Sequence, residues 1–192
     1  VALSSDGLVV AIGHIRYQDY SGHVRVYRWD GSSWNQLGND IIGDNVNDYS
    51  GSSVALSSDG SIIAIGSRNA SPNGSWSGQV RLYKWNGLSW KLFSDVEGKA
   101  RSHYSGESVA LSSDGSIVAI GATGSRNNDP YSGYVHIYDV FDYVNKKFYQ
   151  STLPDFDLLN NPILSESDFS GLILSNVNFS DADLSGADLS NA

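Results

Sequence analysis

The heptapeptide Val-Ala-Leu-Ser-Ser-Asp-Gly occurs three times in this chain, beginning at Val1, Val54 and Val109. Each copy is followed by a short apolar run that ends in Ile-Gly. Two β-prone runs joined by Asp-Gly predict a β-hairpin, because glycine tolerates positive φ and the aspartate can bond its own backbone. A period of 53 and then 55 residues indicates a solenoid, a propeller or an array.

A third strand follows each hairpin after a loop of variable length and begins with Ser-Gly. In the first unit Val24 and Val26 of this strand face one side, whereas Tyr27 and Trp29 face the other. In the first two units an Asp-Gly or Asn-Gly turn then leads to a fourth strand. We therefore predict units of four antiparallel strands that need cover on both faces, as the blades of a β-propeller do.

The repeats divide the chain into three stretches. Residues 1–153 hold the three units, although in the third the last turn moves to 144–146 and the last strand to 148–153. Residues 154–162 are interpreted as a linker or cap, and a second repeat occupies 163–192. Because the chain starts without Met and stops inside a repeat, we interpret it as a fragment.

Three units are fewer than the roughly four to eight blades that close a propeller. We therefore expect an open arc in which the outer face of the unit that starts at Val1 is uncovered. An exposed apolar face of this kind favours association.

The C-terminal stretch has a period of five residues. A Leu or Phe, each followed by Ser, recurs at Leu164, Phe169, Leu174, Phe179, Leu184 and Leu189. Neither a helix nor a flat strand has this period, whereas a square coil with one pentapeptide per side does. We predict that these six side chains point into one narrow core.

The long unit resembles a known family. Its Ser-Val-Ala, Ile-Gly and Gly-x-Val-x-x-Tyr blocks recur in order, with Ile-Gly-Ala in the third copy. They resemble the FG-GAP repeat of integrin-α-type β-propellers over about residues 1–141. The resemblance implies propeller blades of an extracellular or cell-surface protein that acts in adhesion or binding.

The short unit resembles another family. Residues 182–186 and 187–191, Ala-Asp-Leu-Ser-Gly and Ala-Asp-Leu-Ser-Asn, resemble the pentapeptide repeat, which implies a right-handed quadrilateral β-helix that is truncated here. Some members of that family imitate DNA with acidic surfaces. Residues 149–192 hold seven acidic residues and no Lys or Arg, but so short a coil makes DNA mimicry the least favoured alternative.

Composition excludes several partners. The net charge of −9 disfavours nucleic acid and anionic membranes, and no apolar run is long enough to cross a bilayer.

Calcium binding is considered because FG-GAP repeats often carry a calcium loop. Asp6, Asp59 and Asp114 are the candidate ligands, but each turn holds one acid where calcium needs six to eight oxygens. We expect turn formers and no cofactor.

Signatures of an enzyme are missing from the sequence. There is no Cys, no Gly-x-Ser-x-Gly elbow, no phosphate loop and no zinc-protease helix motif. Asp40 and Asp44 are close in sequence, but a glycosidase needs two carboxylates in one cleft. We predict that the chain is not an enzyme.

Aromatic residues in the variable loops are the candidate ligand-binding rim: Tyr17, Tyr20, Trp76 and Tyr131. Exposed aromatic rings can stack on a sugar or fill a pocket of a protein partner; the alternative is that they anchor their own loops. We predict a non-enzymatic binding, adhesion or scaffold module for a protein or glycan ligand. The alternative is a carbohydrate-active enzyme or a lectin-like glycan binder.

Overall fold

The computed structural model describes residues 1–124 and 133–140. All regular secondary structure in these residues is β-strand, and the strands form three antiparallel sheets. The all-β prediction is therefore confirmed. None of the described residues forms a helix able to span a membrane.

The chain divides into two compact units, Val1–Val140 and Phe141–Ala192. The second unit lies outside the described residues. The predicted last strand at 148–153, the linker at 154–162 and the coil at 163–192 all fall there.

The first sheet is built from the first repeat. Its strands are β1 (Ala2–Leu3), β2 (Val9–His14), β3 (His23–Trp29), β4 (Trp34–Gln36) and β5 (Ile41–Ile42). The order is β1-β2-β3-β4, and β5 also pairs with β3. The predicted fourth strand is therefore divided into two short pieces, one along each end of β3.

The second sheet has the four strands that the repeat predicts. They are β6 (Ser50–Leu56), β7 (Ile62–Ser67), β8 (Gln79–Trp85) and β9 (Trp90–Glu97). The order follows the chain, β6-β7-β8-β9.

The third sheet has three strands within the described residues. They are β10 (Ser108–Leu111), β11 (Ile117–Ala122) and β12 (Tyr134–Asp139), in chain order. In all three sheets the first two strands form a hairpin across Asp-Gly, as the heptapeptide predicts.

Each sheet has two faces that follow from strand alternation. In the second sheet Ile63 lies opposite Tyr83 and Ile65 opposite Arg81, which sets one face, while Ala64 lies opposite Leu82 on the other. We name the face of Ile63 and Ile65 the leading face, because it packs on the preceding sheet. The face of Ala64 and Leu82 is the trailing face. The same repeat positions define both faces in the first and third sheets.

Two apolar cores lie between successive sheets. The first joins the trailing face of the first sheet, with Val24 and Val26, to Ile63 and Ile65 of the second. The second core joins the trailing face of the second sheet to the leading face of the third; its fully buried members include Ala64, Val80, Leu82, Val118 and Ile120. Burying one such Val, Leu or Ile stabilises the fold by roughly 1.5–3 kcal/mol, so the middle sheet is held from both sides.

Equivalent hydrogen bonds connect the Asp-Gly turns of successive sheets. The Ser5 N–H donates to the carbonyl oxygen of Ser58 at 2.9 Å, and the Ser58 N–H donates to that of Ser113 at 2.8 Å. The side-chain hydroxyls of Ser5 and Ser58 donate to the same two oxygens. The repeat therefore carries polar contacts between sheets as well as apolar ones.

Candidate functional site

The Asp-Gly turns, which are the candidate calcium positions, form closed hydrogen-bond networks. Asp59 Oδ1 accepts bonds from the Ser57 hydroxyl at 2.7 Å and from the Ser61 N–H at 2.9 Å. Asp6 is bonded in the same way by the Ser4 hydroxyl and the Leu8 N–H, at 2.6 and 2.9 Å. Each aspartate therefore organises its own turn.

The charged form of these aspartates is stabilised by those donors. In Asp114 the bond from the Ser112 hydroxyl and that from the Ser116 N–H lower the pKa to about 2. The pKa of Asp6 and of Asp59 is lowered by the corresponding serine hydroxyl and N–H. Across residues 1–124 and 133–140, no three His, Asp or Glu side chains come together as a metal site.

Asp40 and Asp44, the candidate acid pair, bind different arginines. Asp40 forms a two-pronged ion pair with Arg25, with N–O distances of 2.9–3.0 Å. Asp44 forms an ion pair with Arg81, whose side chain is largely buried and also lies 3.6 Å from Asp95. The two acids thus link strands to loops.

A second repeated motif positions the aromatic residues of the candidate rim. Within the three long units the tripeptide aromatic-Ser-Gly occurs five times, at 20–22, 49–51, 76–78, 104–106 and 131–133. Where the structure describes it, the aromatic residue has a left-handed backbone with φ of 52–65° in Tyr20, Tyr49, Trp76 and Tyr104. Such a conformation is rare for aromatic residues and is found where the surrounding structure enforces it.

Backbone pairing between two copies of the motif enforces this left-handed conformation. The Tyr49 N–H donates to the Tyr20 carbonyl at 3.0 Å, and Tyr104 donates to Trp76 in the same way at 3.0 Å. The serine after each of these aromatic residues is buried. In both pairs the two serines form one further backbone hydrogen bond. At Gly78 a Cβ would lie 2.2 Å from the backbone of Ser105, so this close approach requires glycine.

The pairing brings aromatic rings together at the surface in two equivalent places. Tyr20 and Tyr49 have ring centroids 5.6 Å apart, and Trp76 stacks on Tyr104 at 6.2 Å with 13° between the planes. Tyr20 and Trp76 are each exposed by close to half of their surface, 44% and 46%. Each pair therefore offers an open aromatic face on a fixed backbone.

Arg68 connects the two pairs. Its guanidinium carbon lies 5.7 Å from the ring centroid of Tyr49, and its Nη1 lies 2.8 Å from Glu107 Oε1. The Glu107 N–H donates in turn to the carbonyl of Tyr104. We name the set Tyr20, Tyr49, Arg68, Trp76 and Tyr104 the aromatic row.

The structure places the predicted rim residues differently from one another. Tyr20 and Trp76 belong to the aromatic row. Tyr17 does not, because its ring packs edge-on against buried His23 at 4.3 Å, which is a loop-anchoring contact. Tyr131 lies outside the described residues.

Sequence reasoning missed Tyr49 and Tyr104, which lie in the polar segments before β6 and β10. The signal that identifies them is the shared aromatic-Ser-Gly tripeptide, which marks both partners of each pair.

Comparison with known families identifies the C-terminal repeat. A model described as pentapeptide repeats, with eight copies, matches residues 159–192, whereas the sequence pattern set the start at 163. The chain matches no FG-GAP or integrin-like family model, and no curated protein matches it. Residues 159–192 therefore consist of pentapeptide repeats.

Proposed function

We propose that this chain is a non-enzymatic binding module that presents the aromatic row to a protein or glycan ligand. The observation that carries the proposal is the recurrence of exposed aromatic pairs, Tyr20–Tyr49 and Trp76–Tyr104, at equivalent places of successive sheets. Backbone held in a strained conformation on a rigid scaffold is typical of binding sites. A flat ring stacks on the apolar face of a sugar or in a pocket of a protein partner.

The scaffold in this proposal is an open arc of FG-GAP-like propeller blades. Support comes from the three antiparallel sheets stacked face to face and from β6, the first strand of its sheet, which contacts β1 and β2 of the preceding sheet and β10 of the next. Contact between first strands is expected when blades radiate from an axis. The FG-GAP resemblance makes an extracellular or cell-surface location the expectation.

A carbohydrate-active enzyme is the alternative, and no contact among the described residues favours it. Asp40 and Asp44 bind separate arginines. The absence of a cofactor remains a prediction from the sequence, and acidic DNA mimicry through the coil predicted at residues 163–192 remains the least favoured alternative.

Binding to a glycan array and to a panel of extracellular proteins, measured with the whole chain, tests the proposal. We expect Trp76→Ala and Tyr20→Ala each to weaken binding by about tenfold, because each removes the exposed half of one pair. Leu88→Ala is the control, since Leu88 is also exposed but lies outside the row, in the turn between β8 and β9. Equal loss in all three variants would contradict the proposal, and turnover of a glycoside would favour the enzyme.

A further inference from the structure

The leading face of the first sheet exposes residues that the other sheets bury. Ile12, Ile65 and Ile120 occupy the same repeat position, yet Ile12 is 41% exposed and the other two are 1% exposed. Trp34 and Trp90 are also equivalent. Trp90 packs in the first core and donates its Nε1–H to the Leu37 carbonyl of the preceding sheet, whereas Trp34 is exposed.

In the third sheet it is the trailing face that is exposed, although the second sheet buries the same repeat positions. Val135 and Ile137 of β12 are 66% and 51% exposed. Their counterparts in the second sheet, Val80 and Leu82, are fully buried by the sheet that follows. The two exposed faces are therefore the two halves of a contact that the molecule makes twice within itself.

The Asp-Gly turn of the first sheet repeats this pattern. A Cβ built on Gly60 would lie 2.7 Å from Val9 of the preceding sheet, and one on Gly115 would lie 2.7 Å from Ile62. At the equivalent Gly7 nothing lies within 4 Å. The turn of the first sheet therefore leaves open the space that a preceding sheet fills at the other two turns.

We propose that a second copy of this chain covers these faces, head to tail. The leading face of the first sheet of one copy packs on the trailing face of the third sheet of the other. A second copy is the occupant because its trailing face carries apolar residues at the same repeat positions that already pack on Ile65 and Ile120. By analogy with the turn contacts inside the chain, the Ser113 N–H of one copy donates to the Ser5 carbonyl of the next.

A contact of this kind uses two different patches, so it generates a ring when the rotation closes and an open chain of copies when it does not. The described residues of two copies supply six sheets, which falls within the roughly four to eight blades of closed propellers. We therefore infer a ring of two copies.

The test measures the oligomeric state of the whole chain by sedimentation velocity and light scattering over a dilution series. Ile12→Asp alters only the leading face, and Ile137→Asp alters only the trailing face. Each variant alone is expected to be monomeric, because a buried unpaired carboxylate weakens association by more than about tenfold. An equimolar mixture is expected to form a one-to-one pair, since one unaltered face remains on each partner.

Leu88→Asp is the control, because Leu88 is exposed in the turn between β8 and β9, away from both faces. It should associate as the unaltered chain does, and circular dichroism should show the same β content in all variants. A monomeric unaltered chain would overturn the proposal. Self-association of either single variant, or a mixture that stays monomeric, would also overturn it, because either result excludes head-to-tail contact.

Discussion

At the scale of the residue, one position can carry different chemistry from one repeat to the next. His23, Gln79 and Tyr134 begin equivalent strands. His23 is buried, its Nδ1 has no hydrogen-bond partner among the described residues, and burial lowers its pKa. Folding therefore favours the neutral imidazole at this position.

This burial predicts a pH dependence of stability. The unfolded chain takes up a proton near the ordinary histidine pKa of about 6.5, whereas folded His23 stays neutral to lower pH. The free energy of unfolding should therefore fall as the pH drops below about 7, by at most about 1.4 kcal/mol per pH unit for one proton. Urea unfolding at several pH values measures it.

His23→Gln is the matched variant, because glutamine occupies this position in the second sheet. Its stability should change less between pH 7 and pH 5.5 than that of the unaltered chain. The difference between the two curves is the relevant quantity, since burial raises the pKa of Asp48 and Asp95 and these carboxyls act in the opposite direction. Parallel curves would refute the role of His23.

At the scale of the element, the Asp-Gly turn only reverses the chain in one sheet but also packs against a neighbouring sheet in another. Gly7 and Gly60 have nearly the same backbone, with φ of 71° and 69°. Only Gly60 lies against another sheet, where Val9 leaves no room for a Cβ. The Asp-Gly hairpin is thus a turn in the first sheet and also part of the packing between sheets in the second.

Alanine substitutions distinguish the role of the glycine in the turn from its role in packing between sheets. Gly7→Ala adds only backbone strain and should destabilise the fold by about 1 kcal/mol. Gly60→Ala adds the same strain together with a clash, and should cost a further 1–3 kcal/mol, roughly the cost of overpacking. Thermal unfolding of both variants, at concentrations where the chain is monomeric, gives the comparison. Equal destabilisation would mean that the contact with Val9 relaxes freely.

At the scale of the whole molecule, burial depends on the order of the sheets. The trailing-face residues Leu82 and Ile137 lie on equivalent strands, β8 and β12. Leu82 is covered by the third sheet, while Ile137 belongs to an open face.

Truncation at these two positions should therefore have unequal effects. Leu82→Ala leaves a cavity between two sheets and should lower the free energy of unfolding by about 2–5 kcal/mol. Ile137→Ala removes a half-exposed side chain and should cost less than about 1 kcal/mol in the monomer. Chemical denaturation measures both. A large loss for Ile137→Ala would indicate that this face is covered within a single chain.

Local pattern was enough to predict the hairpins, the third strand and the alternation of apolar faces, because Asp-Gly turns and period-two burial are properties of neighbouring residues. It also identified the five-residue repeat that the family comparison found at residues 159–192. Tyr20 and Trp76 could be predicted as exposed aromatic residues because they lie in the loops that vary.

Contacts between distant segments were decided only by the tertiary structure. The pairing of Tyr20 with Tyr49 and of Trp76 with Tyr104 joins loops that lie about 30 residues apart. The shared tripeptide marks these residues, but only the tertiary structure shows which of them pair. The different burial of Ile12 and Ile65, two identical residues in equivalent strands, has the same origin. Strand alternation determines which face a side chain occupies, but only a neighbouring sheet determines whether that face meets water.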